Sequence, residues 1–253
     1  MLPEQRRRKM ARMIAEHNVV NTRELADTLG ISQMTVRRDL KLLEQRNVLR
    51  TTWGGAVPSA FQAHDIPYGD KAAHMPEAKR AIARAALELI EDDTCVILDA
   101  GTTTLELAKL LFNRRLTAVT TDLQIGLLLA QAPHVDVHLT GGRIDPVSGG
   151  CLGTHALECL GSIHATVAFI GTNVWDPAQG VTTSSAEKMH LKRRMMDRAC
   201  RGVLLADSSK YGNFSTWRLA GLDGFSWIIT DNGLAPEARA EATAAGASLR
   251  IAE

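Results

Sequence analysis

Three observations predict an α/β chain built in two parts. After about residue 77, apolar strand-like runs alternate with amphipathic helical stretches, the pattern of a mainly parallel sheet covered on both faces. Before residue 57 the pattern is helical. The charge divides at the same place: residues 1–57 hold eleven Lys and Arg against six Asp and Glu, a net +5, while residues 58–253 are net −4. Between them Pro58, Pro67 and Pro76 punctuate a stretch without a clean period, which reads as a linker. The expected division is 1–57, a linker over 58–76, and a larger α/β domain over 77–253.

Composition narrows the class. With 45% apolar and 23% charged residues over 253 positions, the chain can bury a sizeable core. No apolar run approaches the ~20 residues of a membrane helix. Arg6, Arg7, Arg8 and Lys9 near the start are followed by no apolar stretch, so no secretory signal is expected. Cys95, Cys151, Cys159 and Cys200 are scattered without a C-x-x-C pair, and the eight histidines show no metal spacing. Free thiols in a reducing cytoplasm, no metal and no cofactor are the expectation.

In the basic head, a first helix over about Gln5–His17 carries Met10, Met13 and Ile14 on one stripe. Asn21, three residues before Glu24, has the form of an N-terminal capping box for a second helix, Thr22–Leu29, which stops at Gly30. Ser32 can cap a third helix running from Gln33 to about Gln45. On that helix Val36, Leu40 and Leu43 share one face, and Met34, Arg37, Arg38 and Lys41 lie on the other. Two helices around a Gly-containing turn form a helix-turn-helix. Gln33 and Thr35 then sit in the first turn, where a groove-docked helix reaches base edges. Arg37, Arg38 and Lys41 suit phosphates or guanine edges. Two β-prone pieces over Val48–Val57 suggest a wing, with Arg50 along the phosphate backbone. For Trp53 the sequence leaves both packing and DNA contact open. The expected DNA-facing residues are Ser32, Gln33, Thr35, Arg37, Arg38, Lys41 and Arg50.

In the body, strands are expected at Cys95–Leu98, Leu116–Val119, Val135–Leu139, Thr166–Ile170, Val203–Ala206, Trp227–Thr230 and Ala247–Ile251. Helices are expected at Thr103–Phe112, Leu123–Ala130, Ala186–Cys200 and Pro236–Ala245. Gly142–Ser162 reads as loop plus a short helix. Four strands end in polar clusters: Asp99 to Thr104, Thr120-Thr121-Asp122, Thr140-Gly141-Gly142-Arg143, and Asp207-Ser208-Ser209-Lys210. Ligands bind outside the carboxyl ends of a parallel sheet, so these clusters are expected on one edge. The Gly101-Thr102-Thr103-Thr104 loop opens a helix whose free amides and dipole suit a phosphate. Lys210 adds a point charge, and Asp99 and Asp207 can accept from sugar hydroxyls. The expected effector residues are Asp99, Gly101, Thr102, Thr103, Thr104, Thr121, Gly141, Gly142, Asp207 and Lys210. No G-x-G-x-x-G follows a strand and no Walker motif is present, which argues against a nucleotide cofactor.

The run Leu25-Ala26-x-x-Leu29-Gly30-Ile31-Ser32-x-x-Thr35-Val36-Arg37-Arg38-Asp39-Leu40-x-x-Leu43-Glu44, followed by Arg50 and Gly54-Gly55-Ala56, resembles the head of DeoR/GlpR-family transcriptional regulators. Trp53 stands where that family more often has His, Tyr or Arg. The resemblance continues through Lys79-x-x-Ile82-Ala83, Asp99-Ala100-Gly101-Thr102-Thr103, Ala168-Phe169-Ile170-Gly171, Gly180-Val181-Thr182, Lys192-Arg193, Asp207 to Gly212 and Thr230-Asp231, covering about residues 5 to 232. Thr120-Thr121-Asp122 stands for the family's Thr-Asn-Ser. Thr166 replaces a usual Asp, and Lys188, beside Glu187, a usual Glu. Both changes are expected near the pocket.

The resemblance implies a sugar-phosphate sensor body, similar in fold to the ribose-5-phosphate isomerase and CoA-transferase type. It also implies a repressor of sugar catabolism genes acting as a homo-oligomer, dimer or tetramer, released from operator DNA by its effector. The alternative is an isomerase-like enzyme fused to a DNA-binding head. Such an enzyme needs a carboxylate base. The stretch after strand Thr166–Ile170 reads Gly171-Thr172-Asn173-Val174-Trp175-Asp176, with its only acid at the end. The sequence leaves the sugar, the operator, activation against repression, and a protein partner of the body open.

Overall fold

The computed structural model describes residues 2–17, 20–45, 48–52, 54–58, 60–62 and 64–253. It divides into two compact units, Met1–Gln62 and Ala63–Glu253.

The first unit contains helix α1 (Pro3–His17), strand β1 (Val20–Asn21), helices α2 (Thr22–Leu29) and α3 (Gln33–Gln45), and strands β2 (Leu49–Thr52) and β3 (Gly55–Pro58). Local signals set these bounds. Asn21 Oδ1 accepts from the Glu24 amide at 2.7 Å, and Ser32 Oγ accepts from the Thr35 amide at 3.2 Å. Gly30 closes α2 in the left-handed region, φ 64°. Met10, Ile14, Leu25, Leu29, Val36, Leu40 and Leu43 fill one core under the three helices. The sheet order is β1-β3-β2, all antiparallel. β1 is absent from the sequence expectation, because two residues carry no period. Its approach explains Gly55, where a Cβ would lie 2.3 Å from the Val20 carbonyl oxygen.

The second unit begins with α4 (Tyr68–Ala73) and α5 (Pro76–Leu87). Then come β4 (Cys95–Leu98), α6 (Thr102–Leu110), β5 (Leu116–Thr120), α7 (Leu123–Leu129), β6 (Val135–Leu139), β7 (Arg143–Ile144), β8 (Cys151–Leu152) and α8 (Thr154–Gly161). They are followed by β9 (Ala165–Gly171), β10 (Trp175–Asp176), β11 (Gly180–Thr183), α9 (Ala186–Asp197), β12 (Ala199–Leu205), β13 (Trp217–Ala220), β14 (Trp227–Asp231), α10 (Pro236–Ala244) and β15 (Leu249–Ala252). A 3-10 turn, Ser208–Lys210, follows β12.

Seven strands form a parallel sheet in the order β15-β14-β12-β9-β4-β5-β6. The chain builds outward from β4 through β5 to β6. It returns beside β4 as β9 and builds the other way. The order therefore reverses between β4 and β9, where an open α/β sheet forms its binding crevice.

Side chains alternate between two cores, one on each face. Ile97, Ala168, Ile170, Leu204 and Ile228 face α8, α9 and α10. Val96, Leu98, Val167, Phe169, Leu205 and Ile229 face α5, α6 and α7. Burying each large one contributes about 1.5–3 kcal/mol.

The expected linker over 58–76 differs from what the structure shows. Pro58 ends β3, and α4 and the start of α5 lie within the stretch. From Asp65 onward it is bonded to the second unit. Asp65 Oδ1 accepts from Asn173 Nδ2 and Ser184 Oγ, each at 2.9 Å, and the Tyr68 amide donates to Val147 O at 3.0 Å. Prolines mark the segment as irregular, but its partners lie about a hundred residues away in sequence. Gly142–Ser162 holds a β7–β8 hairpin as well as the short helix. The helix expected to reach Cys200 stops at Asp197, and β12 starts at Ala199 because its pairing with β9 begins there. The small antiparallel sheet β10-β11-β13 has no counterpart in the sequence expectation.

Candidate functional site

On α3 the apolar stripe turns inward and leaves Gln33, Met34, Arg37, Arg38 and Lys41 exposed. Met34, 80% exposed, joins the expected contact residues on this face. An unbranched apolar side chain in the first turn suits a thymine methyl. Ser32 and Thr35 hydroxyls bond each other at 2.9 Å while Ser32 caps the helix, so both are partly engaged.

Asp39, in the same run, points inward. Its carboxylate accepts from Arg6 Nε at 2.7 Å, with Arg7 Nε at 3.3 Å. Two of the head's arginines are thus internal counter-ions. Glu44 Oε1 accepts from the Thr51 amide and hydroxyl at 2.6 and 2.7 Å, tying the wing to α3 and holding the Glu44 carboxyl below its ordinary range. Arg37, Lys41, Glu44 and Thr51 line an open depression of about 660 Å³ between helix and wing. Arg50 lies on β2. Its side chain and Trp53 lie outside the described residues.

In the second unit the four polar clusters follow β4, β5, β6 and β12, all at carboxyl ends. At the reversal point Asp99 joins the two halves of the sheet. Its Oδ2 accepts from the Gly171 amide at 2.9 Å and from Lys192 Nζ, which also donates to Gly171 O at 2.8 Å. Asp99 Oδ1 accepts from the Ala100 amide. Lys192 belongs to a family motif, but nothing local in the sequence marks it as a site residue, since its partner is 93 residues away.

Gly101 precedes α6, whose first amides, Thr102 to Thr104, have no acceptor within the helix. Asp122 holds this loop. It accepts from the Gly101 amide at 3.0 Å and from Gln124 and Ile125 at 2.7 and 3.2 Å. Burial raises the Asp122 carboxyl despite those donors, with the nearby Asp99 adding to the rise. Thr104 and Thr121 are fully buried. The Thr104 hydroxyl donates to Gly101 O, and Thr121 pairs by backbone with Leu98 and Cys151, so both shape the loop from behind.

Asp207 caps the 3-10 turn, accepting from the Ser209 amide and hydroxyl. Lys210, on that turn, is 9% exposed, and its ammonium has no acceptor among the described residues. β12 stands two strands from β4, about 10 Å at the usual spacing. Gly141 and Gly142 follow edge strand β6, four strands or about 19 Å from β12, so the structure does not bring them to Lys210. Gly142 has a packing role: at φ 103° a Cβ would meet Leu152 O at 2.4 Å.

Lys188 donates to Asp65 and, at 2.6 Å, to Asp145, with all three side chains 13% exposed. Burial alone would raise the Asp145 carboxyl, but Lys188 and Ser148 hold it down to about 2. The same pairing raises the Lys188 ammonium against its burial. Thr166 does not lie near this edge, contrary to expectation. It is the second residue of β9, about 16 Å along the strand from Gly171. A motif shows order along a strand but not which end faces the crevice.

Two family models match. One, described as a DeoR-like helix-turn-helix domain, covers residues 6–59, and the other, a DeoR C-terminal sensor domain, covers residues 74–232. An uncharacterised helix-turn-helix regulator of Escherichia coli, YgbI, is 35% identical over 96% of this chain and 94% of its own. The transcriptional repressor GlcR of Bacillus subtilis is 32% identical over 91% and 89%. Ribose 5-phosphate isomerase A of Methanocaldococcus jannaschii matches 54% of each chain at 16% identity and a TM-score of 0.40. Matched by both models and by regulators over nearly its whole length, the chain belongs to the DeoR family of helix-turn-helix, DNA-binding transcriptional regulators.

Proposed function

We propose that this regulator represses carbohydrate catabolism genes and leaves its operator when a small phosphorylated sugar binds the carboxyl edge of its parallel sheet. Operator contact is assigned to Ser32, Gln33, Thr35, Arg37, Arg38, Lys41 and Arg50. Effector contact is assigned to Asp99, Gly101, Thr102, Thr103, Asp207 and Lys210. The observation that carries the reading is the pairing of unused donors across the reversal point. The α6 amides follow β4, and the turn with a nearly buried lysine without an acceptor follows β12, two strands or about 10 Å away at the usual spacing. That ammonium has no carboxylate or carbonyl acceptor among the described residues, so a bound anion would give it a charge-assisted partner. The name of GlcR as a repressor supports the direction of control. A homodimer or homotetramer in the cytoplasm fits two-fold DNA half-sites.

The body binds its sugar without turning it over. The carboxylates at the edge are each held in a structural role. Asp99 pairs with Lys192, Asp122 caps α7, Asp207 caps the 3-10 turn, and Asp231 bonds Ser208 and Gly233. Asp176 accepts from Ala178 and Gln179 amides in a turn. None of these is left free to take a proton from carbon.

A thermal-shift screen of sugar phosphates against their free sugars tests the reading. A ligand at about 100 Kd stabilises the fold by about 2.7 kcal/mol. A phosphorylated hit that also releases the protein's own upstream DNA supports it. A hit consumed during incubation, followed by NMR, would restore the enzyme.

A further inference from the structure

The segment that joins the two units in sequence carries a lysine of its own into the sensor. Asp65, three residues after Gln62, is fixed by Asn173, Ser184 and Lys188. Farther along, His74 Nε2 lies 3.2 Å from Ser209 Oγ on the 3-10 turn. Between these two anchors is Lys71, on α4. Its backbone oxygen accepts from Lys79 Nζ, which also donates to His74 O at 2.6 Å. The strap is therefore tied at Asp65 to α9 and the loops after β9 and β11, and at His74 to the turn that carries Lys210.

The Lys71 ammonium itself has no acceptor among the described residues. Three lysines of the edge, Lys188 and Lys192 of α9 and Lys210 of the turn, stand close enough to oppose its charge, and among the described residues Asp65 favours it. Of these, Lys188 has Asp65 and Asp145, and Lys192 has Asp99. Lys71 and Lys210 remain, two cations without a hydrogen-bonded acceptor on separate elements of one edge, Lys71 sharing only the charge of Asp65 with Lys188. Like charges without a direct acceptor of their own are an arrangement that a dianion completes.

We propose that Lys71 is an anion-binding residue of the effector site, and that the effector's phosphate is held jointly by Lys71 and Lys210. This rests on the phosphate reading of the carboxyl edge and adds the residue that connects it to the rest of the chain. Lys71 lies nine residues after Gln62, the last residue of the DNA-binding unit.

Lys71 has a measurable signature. Burial pushes the Lys71 ammonium down to about 8, and the three lysines lower it against the pull of Asp65. A bound anion returns the ammonium toward its ordinary value. Affinity then falls about tenfold per pH unit as pH climbs between the two values.

The test is calorimetric titration of the full chain with sulfate, which does not change charge between about pH 6 and 10, and with inorganic phosphate. Wild type is expected to lose about tenfold in sulfate affinity from pH 7 to 9. Lys71→Met should bind about tenfold more weakly at pH 7 and show no such fall, while Lys71→Arg should bind well at both. Lys71 is half-buried, and its ammonium makes no hydrogen bond among the described residues, so Lys71→Met should leave the melting temperature unchanged or higher, and folding does not confuse the result. Lys210→Met separates the two levels of the argument. If it weakens sulfate binding while Lys71→Met keeps wild-type affinity and pH profile, the Lys71 assignment is overturned and the phosphate site stands. If wild type binds neither anion, the phosphate site falls and Lys71 with it.

Discussion

Replacing Lys188 with Met removes one cation from two carboxylates at once. The aliphatic stem is kept, so little packing is lost. Asp65 and Asp145, each 13% exposed, are left facing one another. Removing one partner of a buried pair costs about 3–5 kcal/mol. Asp65 keeps its bonds from Asn173 and Ser184, and Asp145 keeps Ser148 Oγ at 2.6 Å. These donors place the cost near the lower end, about 3 kcal/mol at pH 7, or about 6–12 °C in a domain of this size. The pH dependence is more diagnostic. In the wild type Asp145 sits at about 2, below its ordinary 3.8, so its contribution is complete above about pH 4 and is lost as pH falls through 2. Without Lys188, burial governs both carboxyls and raises them. That penalty is present at neutral pH and is relieved as they protonate. The gap between variant and wild type should therefore narrow from about pH 6 to about pH 3. Urea unfolding at both pH values measures it. A deficit under about 1 kcal/mol at pH 7, or one equal at both, would refute the pairing as a stabilising element.

Other outcomes follow from the same geometry. Arg38→Ala should weaken operator binding and lower its salt slope by about one, read by fluorescence anisotropy across a salt series. An unchanged slope removes Arg38 from the DNA face. Lys210→Met should leave operator affinity intact and blunt release by the hit of the thermal-shift screen; normal release would contradict the site. Asn21→Ala should cost the first unit about 1 kcal/mol, seen in its chemical denaturation. Gly142→Ala should destabilise the second unit by about 1–3 kcal/mol through its clash with Leu152 O, and a wild-type melting temperature would show that the turn adjusts.

How much the residues disclose beforehand depends on the reach of each signal. Asn21, Gly30 and Ser32 act on their own backbone, and α2 and α3 have the bounds those residues set. Cys95–Leu98 and Val135–Leu139 are strands of the same length as their apolar or alternating runs. The parallel sheet is legible for that reason. The roles of Asp65, Lys71, Lys188 and Lys192 are not. Their meaning is set by partners up to 123 residues away, and a lysine on an irregular stretch looks the same whether it meets solvent or three other lysines. Thr166 misleads in the opposite way. Its place in the motif is visible, but strand direction must be known before it can be assigned an end.

Asp39 is turned away from the face that carries Arg37 and Arg38, and its charge is answered by Arg6 and Arg7 on another helix. This separates two kinds of freedom in one short helix. The outward positions, Gln33, Met34, Arg37, Arg38 and Lys41, lie outside the packed core of the head, so they can be exchanged to read a different operator. Asp39 cannot be exchanged alone, because Arg6 would lose its counter-ion and Arg7 one of its two, Glu4 being the other. A head grafted onto another sensor, or retargeted to a new site, should therefore keep Arg6, Arg7 and Asp39 as one inherited set and vary only what lies outside it.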